Sequence, residues 1–169
     1  MSIEDKCRAI YKGDVLAGSF YLFFGVCFII IGTLLQIYII TLGYLYLGLG
    51  LLIFGILGFG KGLIMMYLYN ARLKYFKNIK EMSISLLSEE MEYTKFRLEK
   101  KSRNRRVYIY LTVIATILSF VGAFSDSKSL IMGTMIPIAL FSGIEFSISL
   151  LTEFRLWEYT RHLNKEIPL

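Results

Sequence analysis

Glu145 is the side chain in this sequence whose surroundings most need a chemical explanation. It stands inside an apolar run, residues 130–154, and helical spacing places Ser142, Glu145, Ser149 and Thr152 on one face. A second apolar run offers Thr112, Thr116 and Ser119 at matching intervals, and a third offers Thr33 and Gln36. A carboxylate in hydrocarbon is costly unless paired, hydrated or protonated, so by default it marks a functional site. Two readings stay open. In one, Glu145 and the Ser/Thr stripes form a cation or proton path. In the other, a neutral Glu145 is structural, hydrogen-bonded to a hydroxyl on a neighbouring helix or reaching toward the membrane surface. The apolar runs supply no evident basic partner. Lys61 lies near the end of such a run, and its long stem is expected to snorkel to the lipid headgroups rather than pair with Glu145.

Enzymatic chemistry finds little support. There is no Ser/His/Asp arrangement and no metal-ligand spacing, so no metal or cofactor is expected. The single histidine, His162, reads as solvated. The glycines of GILGFGKG fall within a continuous apolar helix, whereas a nucleotide loop needs a strand before it and a helix starting after it. Cys7 and Cys27 have no redox spacing, and one falls in a polar lead while the other falls in an apolar span.

The elements that must position these residues are membrane helices. Residues 15–60 contain no charged side chain, and a bilayer crossing needs roughly 20 apolar residues. The run holds two spans, about 16–40 and 44–69, with Thr41-Leu42-Gly43 as the reversal because glycine tolerates the left-handed conformation that ends a helix. A third span covers 107–124 and a fourth runs from about 130 to 154, with a kink expected at Pro137. The expected fold is an all-α integral membrane protein with four transmembrane helices. Its segments are an N-terminal amphipathic interfacial helix (1–14, capped by Ser2 and stopped by Gly13), a first transmembrane hairpin (15–69), a basic helical hairpin (70–106), a second transmembrane hairpin (107–154) and a tail (155–169). The first span is too long for a cleavable signal sequence.

Glycines recur every seven residues in both halves of the first transmembrane hairpin: Gly18, Gly25 and Gly32, then Gly48, Gly55 and Gly62. Apolar side chains gain little by leaving lipid for one another, so small residues that allow close backbone approach drive helix association. These seams are expected to face helices, within one chain or across copies.

Residues 61–106 carry twelve Lys/Arg and five Glu. Ile79, Met82, Leu86, Tyr93 and Phe96 form an interrupted apolar stripe, and Ser88-Glu89-Glu90 reads as a helix start. The second span is therefore expected to continue to about residue 87 before turning. The stripe needs cover from the other arm, a second copy or another protein. Lys100, Lys101, Arg103, Arg105 and Arg106 suit anionic headgroups or simply orient the chain. All Lys/Arg except Lys128 fall in the lead, the central segment and the tail, so positive charge puts both termini and the hairpin in the cytoplasm, at a plasma or bacterial/archaeal inner membrane. This explains a net charge of +6 without nucleic acid. An echo links Arg72-Leu73 with Arg155-Leu156, 83 residues on, and suggests two hairpins of like orientation.

The sequence thus points to a non-enzymatic, oligomeric four-span protein whose cytoplasmic hairpin binds a cytosolic partner, as the membrane arm of a sensing or effector system. The alternative is an ion channel or proton-coupled small transporter using Glu145. Membrane lipid and further copies of the chain are the other expected partners.

Overall fold

The computed structural model describes residues 3–39, 41–78 and 83–166. They form four long helices: α1 (Ile3–Tyr38), α2 (Leu42–Asn78), α3 (Ile84–Gly122) and α4 (Lys128–Glu166). Each contains a stretch long and apolar enough to cross a membrane, which makes this a multi-pass membrane protein. At 1.5 Å per residue, helices of 36 to 39 residues are about 54–59 Å long, against a hydrocarbon thickness of about 30 Å. Roughly half of the bundle therefore lies outside the apolar layer. That half carries most of the charges, the start of α1, the end of α4 and the α2–α3 connection. It is called the terminal half below.

α1 packs along α2 and α3 along α4, while α4 also meets α2 and, over a shorter stretch, α1. The glycine seams explain the first pairing. Gly18 faces Gly62, Gly25 faces Gly55 and Gly32 faces Gly48, so the two heptad rows meet within one chain. A Cβ at Gly25 would lie 2.6 Å from the Phe59 amide nitrogen, and one at Gly55 would lie 2.9 Å from that of Ile29. A second seam, unexpected from the sequence, joins α2 to α4: a Cβ at Gly133 would lie 2.7 Å from the Gly43 carbonyl oxygen, and one at Gly50 would meet the Pro137 ring at 2.7 Å.

Several expected boundaries move. Gly43 is not a left-handed reversal point; it lies in the first turn of α2, and among the described residues no φ is positive. Its small size serves contact with Ser129 and Gly133 instead. α1 runs unbroken through Gly13, so residues 3–14 continue the first span rather than forming a separate helix. Their apolar face finds protein to pack on: Cys7, Ile10 and Tyr11 enter a core with Phe76 of α2, Met91 of α3 and Leu156, Tyr159 and Leu163 of α4. α3 starts at Ile84, where the Ser83 hydroxyl accepts from the Leu86 amide at 3.3 Å. Ser83 supplies the cap expected of Ser88, and Glu90 faces inward instead of capping. Leu86 of the hairpin stripe, with its neighbour Leu87, packs against the terminal core, so that part of the stripe is covered from within the chain. Phe96 of that stripe stays exposed; Ser2, Ile79 and Met82 lie outside the described residues.

The membrane half is packed differently. Few large side chains are buried there, Tyr21, Phe28, Leu51 and Ile148 among them, and most leucines and isoleucines point outward. Contact is made by backbone against backbone, as expected in lipid. Gly25→Ala should therefore destabilise the folded protein by about 1–3 kcal/mol through overpacking, read as a lower unfolding midpoint in detergent. Gly60→Ala, with nothing within 4 Å of its added Cβ, should leave the midpoint unchanged.

Candidate functional site

Glu145 of α4 is 1% exposed, and α1 and α2 converge on it. Tyr21 of α1 donates its hydroxyl to Oε2 at 2.8 Å. Lys61 of α2 donates from Nζ to Oε1, and the same ammonium sits 4.4 Å from the centre of the Tyr21 ring. Lys61 does not snorkel. Eight residues separate it from the expected end of its span, about 12 Å along the helix, which is further than its stem reaches. Turned inward, the ammonium instead neutralises a carboxylate that would otherwise be buried alone.

The face expected on α4 is present as a unit. Ser142, Ser149 and Thr152 are as buried as Glu145. Their hydroxyls do not hold the acid, however. Thr112 Oγ1 lies 2.9 Å from Ser142 Oγ, joining α3 to α4, and the Ser142 hydroxyl donates to the Ile138 carbonyl at 2.7 Å. Thr152 donates to the Ile148 carbonyl. Thr116 and Ser119 donate to carbonyls of their own helix, Thr116 on an exposed face. Gln36 bridges to the Leu45 carbonyl across the α1–α2 turn at 2.7 Å, and Thr33 bonds its own helix. The interhelical stripe is therefore short, and Glu145 relies on Tyr21 and Lys61.

Toward the terminal half the polar interior continues. Asp14 accepts from Arg97 Nη2 at 2.6 Å, both side chains being buried. Burial opposes the Arg97 charge, but the Asp14 carboxylate outweighs it and holds the guanidinium above its usual pKa. One layer further, Tyr11 donates to Glu90 Oε1 at 2.6 Å, while Arg72 Nη1 donates to the Tyr11 hydroxyl at 3.0 Å and lies 3.7 Å from Glu90 Oε2. Arg72 also stacks over Tyr93 at 3.7 Å. Burial raises the Glu90 pKa, a shift that Tyr11 and Arg72 reduce. Burial pushes the Cys7 thiol up to about 12, leaving it inert.

Sequence reasoning missed this column, although its spacing was on view. Glu90, Thr94, Arg97 and Lys101 recur at four, three and four residues, as core positions do, and Tyr11, Asp14 and Tyr21 share a face of α1.

The basic cluster divides. Lys100, Arg103 and Arg106 are exposed. Arg105 instead pairs with Glu153 of α4 at 2.9 Å. Lys101 turns inward, where burial first and the nearby Lys61 charge second lower its pKa to about 8. Among the described residues it makes no hydrogen bond or ion pair. His162 is half-buried rather than solvated. Leu73 and Leu156, the echoed pair, both contact the terminal core.

These features define an all-helical, multi-pass membrane protein built around an internal column of cross-helix ion pairs. No family model, curated protein or solved structure matches the chain.

Lys61→Met should leave Glu145 buried without a counter-charge and cost about 3–5 kcal/mol, whereas adding Glu145→Gln should restore most of the loss. Denaturant unfolding of the two variants in one detergent measures both. Lys101 gives a pH signature. Its folded pKa of about 8 lies below the ordinary lysine value of 10.5, so below pH 8 folding holds a charge in a buried place at a cost. That cost disappears as pH rises from 8 through 10.5, where the unfolded chain also loses its proton. Lys101→Met should therefore melt higher than wild type at pH 7, and the difference should shrink toward pH 10.5.

Proposed function

We propose that this protein is a non-enzymatic, oligomeric four-span membrane protein whose terminal half projects into the cytoplasm and docks a cytosolic partner through the 70–106 hairpin, as the membrane arm of a sensing or effector system. The observation carrying this reading is that Tyr75, Ile84 and Phe96 are 55%, 75% and 61% exposed although the core beneath them is already filled by α1 and α4. Large apolar side chains left in water beside a filled core favour a protein–protein contact. Their basic neighbours Lys74, Lys77 and Lys95 favour an acidic partner surface. Self-association draws support from α3, whose most apolar window is only 11% buried within the chain, against 33% for α1. That face is open to lipid or to a second copy. The concentration of Lys/Arg at the terminal half supports a cytoplasmic orientation for it.

The Glu145–Lys61–Tyr21 centre favours a second reading, proton-coupled transport or conduction. Glu145 and Tyr21 are buried within one chain, and Lys101 stands near both this centre and the Asp14–Arg97 pair without bonding to either, so permeation would require movement between hairpins or a path between copies.

Affinity purification from native membranes, comparing wild type with a Tyr75→Ser/Ile84→Ser/Phe96→Ser variant, separates the readings. The partner reading expects a specific protein to be recovered with wild type and lost with the variant, while folding and oligomeric mass are unchanged. Identical recovery rejects the docking surface. Proton flux into liposomes that falls in Glu145→Gln would favour transport instead.

A further inference from the structure

Two grooves lie end to end on the α1–α4 face and share Arg155. The outer one, about 240 Å³, is lined by Lys6, Ile10, Arg155, Tyr159 and His162, with Glu158 as its one acid. The other, about 430 Å³, runs into the apolar half between Leu16, Phe20, Ile148, Leu151 and Phe154. The second volume falls within the range of about 300–1,000 Å³ typical of ligand pockets. Trp157, 57% exposed two residues beyond Arg155 but on the side of α4 toward Arg105, is the kind of residue that marks the headgroup plane.

Arg155 occupies the junction because α1 lacks a side chain there. A Cβ on Gly13 would lie 1.6 Å from Arg155 Nη1, so the guanidinium rests directly on the helix backbone. Among the described residues its only hydrogen bonds are long, 3.4 Å to the Leu151 carbonyl and 3.4 Å to Thr152 Oγ1. The arginines of the internal column each face a carboxylate, but neither Arg155 nor Lys6 has one within ion-pair distance among the described residues.

We propose that this face holds one anionic phospholipid, its phosphate between Lys6, Arg155 and His162 and an acyl chain in the groove between α1 and α4. The charge and the apolar wall are complementary to the two parts of that molecule, and they meet at the depth where those parts join. The guanidinium offers the planar donor fork that fits a phosphate. An anionic headgroup fits better than a zwitterionic one, whose own cation would face Lys6 and Arg155.

The test uses the full-length protein in detergent, titrated with phosphatidylglycerol or phosphatidylcholine and read by native mass spectrometry. Wild type should retain one phosphatidylglycerol per chain in preference to phosphatidylcholine. Arg155→Gln should weaken that binding about fivefold and Lys6→Gln/Arg155→Gln about 25-fold, since each basic residue at an anionic surface contributes about 1 kcal/mol. Gly13→Ala keeps every charge but displaces Arg155, and should weaken binding without changing helicity. Lys100→Gln/Arg103→Gln/Arg106→Gln should leave this site intact. Equal retention of the two lipids overturns the proposal. So does unchanged binding in folded Arg155→Gln, or loss of the preference in the Lys100/Arg103/Arg106 variant alone. Displacement of the lipid by millimolar inorganic phosphate would show an anion site with no role for the groove and would equally overturn it.

Discussion

A carboxylate buried in an apolar bundle must find a cation, and that requirement organises this chain. Glu145 on α4 takes Lys61 from α2 and Tyr21 from α1. Asp14 on α1 takes Arg97 from α3, and Glu90 on α3 takes Arg72 from α2 together with Tyr11 from α1. Each acid is answered from a different helix, so sliding any one helix by a turn would break at least one pair. Apolar contacts in lipid are tolerant of such slippage, whereas buried charges are not. The ion pairs therefore fix the register between the two hairpins, and the glycines fix the distance within the first.

The two halves of the bundle follow different packing rules because their surroundings differ. In the membrane half, small residues bring backbones together and the large side chains face outward. In the terminal half, aromatic and aliphatic side chains fill a core of the kind water-soluble bundles build, with Tyr11 stacked on Phe76 at 5.3 Å. The helices pass from one regime to the other without a break, so the polar column runs along a continuous scaffold.

Much of this was legible in the sequence. Four apolar runs gave four spans, and the heptad glycines gave the α1–α2 seam, because both signals are local and periodic. The buried face of Ser142, Glu145, Ser149 and Thr152 was legible for the same reason. What escaped were partnerships between distant segments. Lys61 looked like a snorkelling residue because nothing near it in the chain is acidic; its partner is 84 residues away. Residues 3–14 looked like a surface helix because their apolar face had no visible cover, and the cover comes from α2, α3 and α4. Gly13 read as a stop because the space it leaves for Arg155 depends on a helix more than a hundred residues later.

The order in which these partners arrive has a consequence during synthesis. The glycine seam joins neighbours in the chain, so the first hairpin can close as soon as α2 is made. Lys61 then waits 84 residues for Glu145, and Asp14 waits 83 for Arg97. At about 5–20 residues per second, that interval is roughly 4–17 s. From the end of α2 until its partners are made, the nascent chain holds a hairpin that is sterically finished and electrically unfinished, with the Asp14 carboxylate answered first and the Lys61 ammonium last.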